Sequence, residues 1–556
     1  MRDGVHLSAN LFLPADRARV PAILERTPYG KGLDITSLYQ AFVDRGYAVV
    51  AQDVRGRYDS EGVFAPLEQE PSDGDDTLNW MARQPWCDGK IGMIGGSYRG
   101  IVQWKVATLN NPHLKAIFPI VSGWDDYRDR FYSEGGAMKL GPRLEWMAEN
   151  LKVPGYQPNF DKYVLHLPLR TSDIAATGRP SRMFQEALNH PAFDSFWRAI
   201  SVRERIRSVR TPVFAIGGWY DNFVESDLEA YSALHKASGV NRVIVGPWPH
   251  NMSYQFQDVD FGADSKVPVR TLQLAWFDQW LMGKDEPALS GPPLKIFVMG
   301  SNKWREASEW PPPEARPMAL YLASGGHANT LEGDGALTDK PADHSKRDGF
   351  VFDPHDPAPT RGGAVCCNPR VLPWGPMDQR PVERRKDVLV YTGKPLESDT
   401  EAIGPVEVTL YAATSAKDTD FTAKLVDVFP DGNARNLTDG ILRLRYRGSL
   451  DKPELARPSE VYKLSIDAGV TANVFLKGHR IRVEISSSNF PRFDRNPNTG
   501  GRIADETKPV AATQTVYHDR RHPSEVVLLV MPPDAREPSS PLTRIPRAAG
   551  SALGPR

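Results

Sequence analysis

A serine, an aspartate and a histidine stand in the chain order and local settings that acyl transfer requires. Ile91-Gly92-Met93-Ile94-Gly95-Gly96-Ser97-Tyr98-Arg99-Gly100 reads as an apolar strand, a glycine turn and the start of a helix. A serine at such a corner projects its hydroxyl from the carboxyl edge of a sheet, and the next N–H faces a developing oxyanion. A hydroxyl is a weak nucleophile at neutral pH, so it needs a histidine base held by a carboxylate. Ile216-Gly217-Gly218-Trp219-Tyr220-Asp221 places Asp221 just past one strand, and Val245-Gly246-Pro247-Trp248-Pro249-His250 places His250 just past the next. The spacing between them leaves room for one helix and one strand, and all three residues fall at the edge where open α/β sheets bind ligands. Taken singly, each has a plainer reading: a glycine turn, a helix-capping aspartate, a surface histidine. Their joint placement favours Ser97 as nucleophile, His250 as base and Asp221 as its orienting carboxylate.

A tetrahedral intermediate also needs hydrogen-bond donors. The Tyr98 N–H is one. Tyr29, in Arg26-Thr27-Pro28-Tyr29-Gly30, offers a phenolic O–H as a second, or is simply a packed aromatic.

The elements that must hold these residues alternate. Strand-like Ala22–Leu24, Tyr47–Ala51, Ile91–Ile94 and Ala116–Val121 are separated by helical stretches near 35–45, 72–84 and 102–109, with Ser72 or Asp73 as the cap of the second. That order implies a parallel sheet covered on both faces. From Gly123 to about Arg210 the pattern gives way to an aromatic- and charge-rich stretch, with helices expected near Leu144–Leu151 and Met183–Ile206. It then resumes through Val213–Ile216 and Arg242–Val245. Beyond Pro311-Pro312-Pro313, runs such as Val406–Leu410, Leu442–Tyr446 and Ile481–Ile485 alternate apolar with polar, the mark of half-exposed antiparallel strands in a sandwich. The division expected is a core over 1–123 and 209–313, a helical insertion over 124–208, a C-terminal β-sandwich over 314–532 and a disordered tail over 533–556.

With 68 basic against 69 acidic residues in 556, the net charge is −1, which argues against nucleic acid or an anionic membrane surface as partner. No apolar run reaches the ~20 residues a membrane helix needs. Three cysteines exclude a disulfide scaffold. Adjacent Cys366 and Cys367 are not expected to bridge each other, and their role is open. There is no His-Glu-x-x-His, Gly-x-Gly-x-x-Gly or Gly-Lys-Ser/Thr motif, so no metal or organic cofactor is expected. His518 and His522 are expected to be solvated. The absence of a leader reads as cytoplasmic, although the start at Met-Arg-Asp-Gly resembles the middle of a hairpin and leaves an upstream strand or export signal open.

Gly95-x-Ser97-Tyr98-x-Gly100, Gly217 to Asp221 and Gly246-Pro247-Trp248-x-His250 together resemble the cocaine esterase-like CocE/NonD hydrolases, relatives of the X-Pro dipeptidyl-peptidases. Gln52–Arg57 with Ser60–Gly62, and Ser488–Arg492 with Asn496-Pro497, are similar to further segments of that family. The family pattern places its second glycine at Gly100, which accounts for Arg99. The resemblance implies an α/β-hydrolase core, an inserted helical cap and a C-terminal jelly roll, with Ser97, Asp221 and His250 as triad and Tyr29 O–H and Tyr98 N–H as oxyanion donors. Asp53, Arg55 and Arg57 read as structural ion-pair residues. Trp124, Tyr127, Phe131, Tyr132, Trp219 and Phe223 are candidates for the substrate pocket and equally for core. The α-amino acid ester hydrolases of this family hold a substrate ammonium with acidic residues, part of them following the triad aspartate; here Asn222, Phe223 and Val224 stand there instead.

The expectation is a serine hydrolase of a small-molecule carboxylic ester or amide acting through an acyl-enzyme, with homo-oligomerisation left open. Its rivals are an X-Pro dipeptidyl-peptidase or β-lactam acylase and, outside enzymes, a glycan-binding jelly roll.

Overall fold

In the computed structural model, which describes residues 1–15, 18–238, 240–343 and 345–533, two large sheets carry the chain. The first has nine strands: β1 (Ala9–Phe12), β2 (Val20–Thr27), β3 (Ala48–Asp53), β4 (Cys87–Gly96), β5 (Leu114–Ile120), β6 (Phe214–Tyr220), β7 (Arg242–Pro249), β8 (Leu294–Val298) and β9 (Lys303–Ala307), in spatial order 1-3-2-4-5-6-7-8-9. The seven inner strands pair in parallel, while β1 and β9 are antiparallel edges. β2, β3 and β6 are buried along their whole length because helices cover both faces. One of these, Val269–Met282, sets the Phe277 ring where a Cβ on Gly92 would come within 2.3 Å, so the glycine in β4 is what admits the helix. Burying such a ring contributes about 2 kcal/mol.

The helix Glu70–Ala82 starts two residues before Ser72 and three before Asp73, the proposed caps, with Pro71 in its first turn. Asp73 lies inside that turn and instead accepts from two of the three Arg55 nitrogens, at 2.6 and 2.9 Å. Lys31 pairs with Asp53 (2.9 Å), and Arg57 donates not to a carboxylate but to the Pro28 carbonyl (2.9 Å).

Between β5 and β6 the chain leaves the sheet to build a helical cap. It opens with a π-helical turn, Asp126–Phe131, whose first N–H groups are held by the Asp125 carboxylate. Helices Leu140–Asn150, Phe160–Leu165, Ser172–Thr177, Arg182–Asn189 and Ser195–Ile200 follow. The helical stretch expected over Met183–Ile206 is therefore broken, with Pro191 in the gap and Asp194 capping the next helix by accepting from the Phe196 N–H (3.0 Å).

The second body is an eleven-stranded sandwich of jelly-roll type running from Arg316–Ala323 to Glu525–Val530, antiparallel in all pairings but one. Its longest ladder joins Thr400–Thr414 to Tyr462–Phe475. Met299, just past β8, donates to the Ala472 carbonyl (2.9 Å) and accepts from the Val474 N–H (2.8 Å), which ties the two bodies by backbone. The cap is tied to the sandwich by a buried cation: Arg443 lies between Asp420 (2.9 Å) and Asp494 (2.7 Å), and Asp494 also accepts from the Met138 N–H (2.8 Å). His518, expected in solvent, is buried in the sandwich and bonds the Asp348 carboxylate at 2.6 Å. The tail expected from 533 onward lies, past its first residue, outside the described residues. Among the described residues no helix is long and apolar enough to cross a membrane.

Candidate active site

Ser97 occupies the corner between β4 and the helix Tyr98–Ala107 with φ 56°, ψ −127°. A non-glycine residue at positive φ is strained and persists only when its surroundings fix it. They do so here: the Ser97 N–H donates to Ile120 O (2.9 Å), and Ser97 O accepts from the Gly100 and Ile101 N–H groups (2.8 and 3.0 Å). The two flanking glycines are steric requirements. A Cβ on Gly95 would meet Arg99 Cβ at 2.4 Å, and one on Gly100 would meet Ser122 Cβ at 2.5 Å. The second contact is why the glycine falls at 100, while Arg99 turns outward to pair with Glu25 (2.5 Å).

Asp221 follows β6 and is fully buried; its Oδ1 bonds His250 Nδ1, past β7, at 2.9 Å. That bond leaves Nε2 as the free imidazole nitrogen. The His250 ring lies 5.7 Å from that of Phe223, and one of its nitrogens lies within 4.8 Å of the sulfurs of Cys366 and Cys367. Phe223 and both cysteines line one cavity together with Ser97, Tyr98 and Tyr29. The structure thus gathers Ser97, Tyr29, Tyr98, Phe131 and Phe223 around one space and sets the Asp221–His250 pair beside it. Ser97 and His250 make no direct hydrogen bond; such contacts are often long in free enzymes and tighten on substrate.

Tyr29 follows β2, and its Oη accepts from the Trp146 indole N–H (3.2 Å), which aims the hydroxyl at the cavity. The Tyr98 phenol points away: it donates to Glu70 (2.8 Å), accepts from the Leu67 N–H (3.1 Å) and stacks on Trp146. Only its backbone N–H is left at the Ser97 corner.

The structure places the other aromatic candidates in the core, away from the cavity, because their polar tips bond inward to backbone carbonyls. Trp124 donates to Ser226 O, Tyr127 to Pro191 O, Tyr132 to Ala187 O and Trp219 to Phe297 O, at 2.5–2.8 Å. The cap contributes instead Phe131, Trp146, Met147, Leu151, Met183 and Phe184, with two cations, Arg130 and Arg143. Arg143 is held down to about 10 by burial and by Arg130. The helix expected near Leu144–Leu151 spans Leu140–Asn150, and the spacing does not show which of its faces meets the serine.

Cys366 and Cys367 are bonded to each other, contrary to expectation. Their loop is pinched at its neck by a reciprocal pair of bonds between Gly363 and Gly375 (2.8 and 3.0 Å), which presses the sulfurs to the cavity wall. Burial, with Glu149 close by, pushes the Glu145 carboxyl up to about 7. The folded state therefore favours neutral Glu145. That stability is fully present below the ordinary carboxyl range and lost as pH rises through about 7, a difference of about 3 kcal/mol. Glu145→Gln, neutral at every pH, is expected to lie within about 1 kcal/mol of the parent protein in stability at pH 5 and up to about 3 kcal/mol above it at pH 8, read by thermal unfolding at both pH values.

The fold and this site define a serine hydrolase of the α/β-hydrolase class. The chain belongs to the cocaine esterase-like CocE/NonD family. Residues 3–252 match the X-Pro dipeptidyl-peptidase (S15 family) and residues 289–527 the X-Pro dipeptidyl-peptidase C-terminal non-catalytic domain. It is 38% identical to the cocaine esterase of Rhodococcus sp. (strain MB1 Bresler), over 96% of this chain and 97% of that protein. Among solved structures it is similar to an aminopeptidase from a marine sediment archaeon, Thaumarchaeota archaeon (TM-score 0.84, 26% identity, 96% and 95% of the two chains). It is also similar to an α-amino acid ester hydrolase (TM-score 0.81, 25% identity, 95% of each).

Proposed function

We propose that this protein cleaves carboxylic esters with an apolar or aromatic acyl group by a Ser97–His250–Asp221 relay. Ser97 Oγ attacks the carbonyl carbon as His250 Nε2 takes its proton. The alkoxide that forms on the carbonyl oxygen is held by the Tyr98 N–H and the Tyr29 O–H. His250 returns the proton to the leaving alcohol, an acyl-enzyme remains on Ser97, and water activated by the same imidazole releases the acid. The observation that carries this reading is the strained Ser97 corner opening on a largely apolar cavity, with a buried aspartate bonded to a partly exposed histidine at its side.

Electrostatics favour esters over α-amino substrates. Arg130 and Arg143 line the cavity and repel an ammonium. Asn222 is engaged in donating to Asp129 O (3.0 Å). The relative from Rhodococcus is named for an ester, cocaine.

The test is a substrate panel of p-nitrophenyl acetate, valerate and benzoate, an X-Pro p-nitroanilide and an acyl β-lactam, run beside fluorophosphonate labelling and peptide mapping. The expected result is the highest kcat/KM on the esters and a single label on Ser97. A label elsewhere, or none, overturns the assignment, and a preference for the X-Pro anilide overturns the substrate class. Tyr29→Phe keeps the ring and removes the proposed donor. It is expected to lower kcat by about 10²–10³ with little change in KM, measured by steady-state kinetics on the best ester.

A further inference from the structure

The sandwich reaches into the cavity at one place, the loop carrying Cys366 and Cys367, and delivers two sulfurs to the imidazole of His250. One nitrogen and the two sulfurs all lie within 4.8 Å of one another. Cys366 is buried, while Cys367 and His250 are partly exposed, so the group is reachable from the cavity. A tetrahedral site with bonds of ~2.3 Å to sulfur and ~2.0 Å to nitrogen has ligand–ligand edges of about 3.5–3.8 Å, which the three atoms reach by shifts of about 1 Å. We infer that, once the Cys366–Cys367 bond is reduced, the two thiolates and His250 Nε2 bind a thiophilic divalent cation such as Zn²⁺ or Cd²⁺.

Three features of the site fit a soft cation. The donor set, two sulfurs and one imidazole, is of the kind that selects such ions over Mg²⁺ or Ca²⁺. His250 Nδ1 already bonds Asp221 Oδ1 at 2.9 Å, the outer carboxylate that fixes the orientation and tautomer of a metal-binding imidazole. Two thiolates leave the bound ion with no net charge to bury.

The chemistry balances in two steps. A phosphine and one water convert the disulfide to two thiols, the phosphine leaving as its oxide with the oxygen. The cation then displaces one proton from each thiol, and His250 binds through its lone pair. An ion so held removes the lone pair that takes the proton from Ser97, so binding silences hydrolysis. This second consequence rests on the reading of His250 as base; the binding itself does not.

The test titrates Cd²⁺ into phosphine-reduced protein, freed of reductant under argon, and into the untreated disulfide form. Expected are a thiolate-to-cadmium ultraviolet band saturating at one equivalent in the reduced protein only, its loss in the Cys366→Ser/Cys367→Ser double variant, and affinity at least roughly tenfold lower in His250→Ala. Esterase activity of the reduced protein should fall at least tenfold at one equivalent and return with a chelator, while the disulfide form is unaffected. The double variant keeps the buried Cys87, so an undiminished band there assigns the signal to Cys87 and overturns the site. Failure to saturate at one equivalent, or equal affinity in His250→Ala, also overturns it. One-to-one, His250-dependent binding that leaves esterase activity intact upholds the site and refutes His250 as base.

Discussion

Ser97→Ala is expected to lower kcat on the best p-nitrophenyl ester by about 10⁴–10⁶ and to abolish fluorophosphonate labelling. The substitution removes one oxygen and leaves the corner as it is. Alanine meets the same steric penalty at φ 56° that serine already bears, and the bonds that fix the corner are backbone bonds to Ile120, Gly100 and Ile101. Stability should therefore change by less than about 1 kcal/mol, as for substitutions that touch no packing contact. The residual rate should stay above the uncatalysed one, because the Tyr98 N–H and Tyr29 O–H still polarise a bound ester toward attack by water. A loss smaller than about 100-fold in a folded variant would mean that another group forms the acyl-enzyme or that none does. Steady-state kinetics and a thermal melt on the same preparation separate these outcomes from unfolding.

What could be read from the sequence was local and stereochemical. Gly95 and Gly100 are glycines because side chains on Arg99 and Ser122 fill the adjoining space, and such demands leave a mark in the chain. The fully buried strands Val20–Thr27 and Phe214–Tyr220 announce themselves through short apolar runs, Ala22–Leu24 and Val213–Ile216. Side-chain direction left no such mark. Trp124, Tyr127, Tyr132 and Trp219 have the composition of a pocket wall but spend their polar atoms on carbonyls in the core. The wall is built instead by one face of the helix Leu140–Asn150, and which face meets Ser97 depends on how Arg443 docks the cap on the sandwich. His518 sits in a charged stretch, and only its non-local partner Asp348 explains its burial. Cys366 and Cys367 are the extreme case. They lie far from His250 in sequence, in a segment without periodicity, and only the pinched loop brings them beside it.

Two buried carboxyl groups stand next to the histidine strand, and their substitution is expected to give opposite results. Asp221→Asn should lower kcat by about 10⁴, since the amide cannot offset the positive charge that His250 acquires while Ser97 attacks, and an amide N–H turned toward Nδ1 would impose the wrong tautomer. Asp227 lies beside it, against Gly217, whose Cβ would come within 2.7 Å of its carboxyl oxygen. Burial, together with the neighbouring Asp221, pushes Asp227 far above the usual carboxyl range. Its surroundings thus favour the uncharged form, and Asp227→Asn keeps the shape without adding a charge, with an expected change in kcat below about tenfold. Both side chains are buried at the same sheet edge, so a purely structural role for Asp221 predicts similar losses in the two variants, together with lowered melting temperatures. A role through charge predicts a difference of about three orders of magnitude between two folded proteins. Rates on one ester at pH 7, beside thermal melts of both variants, decide between them.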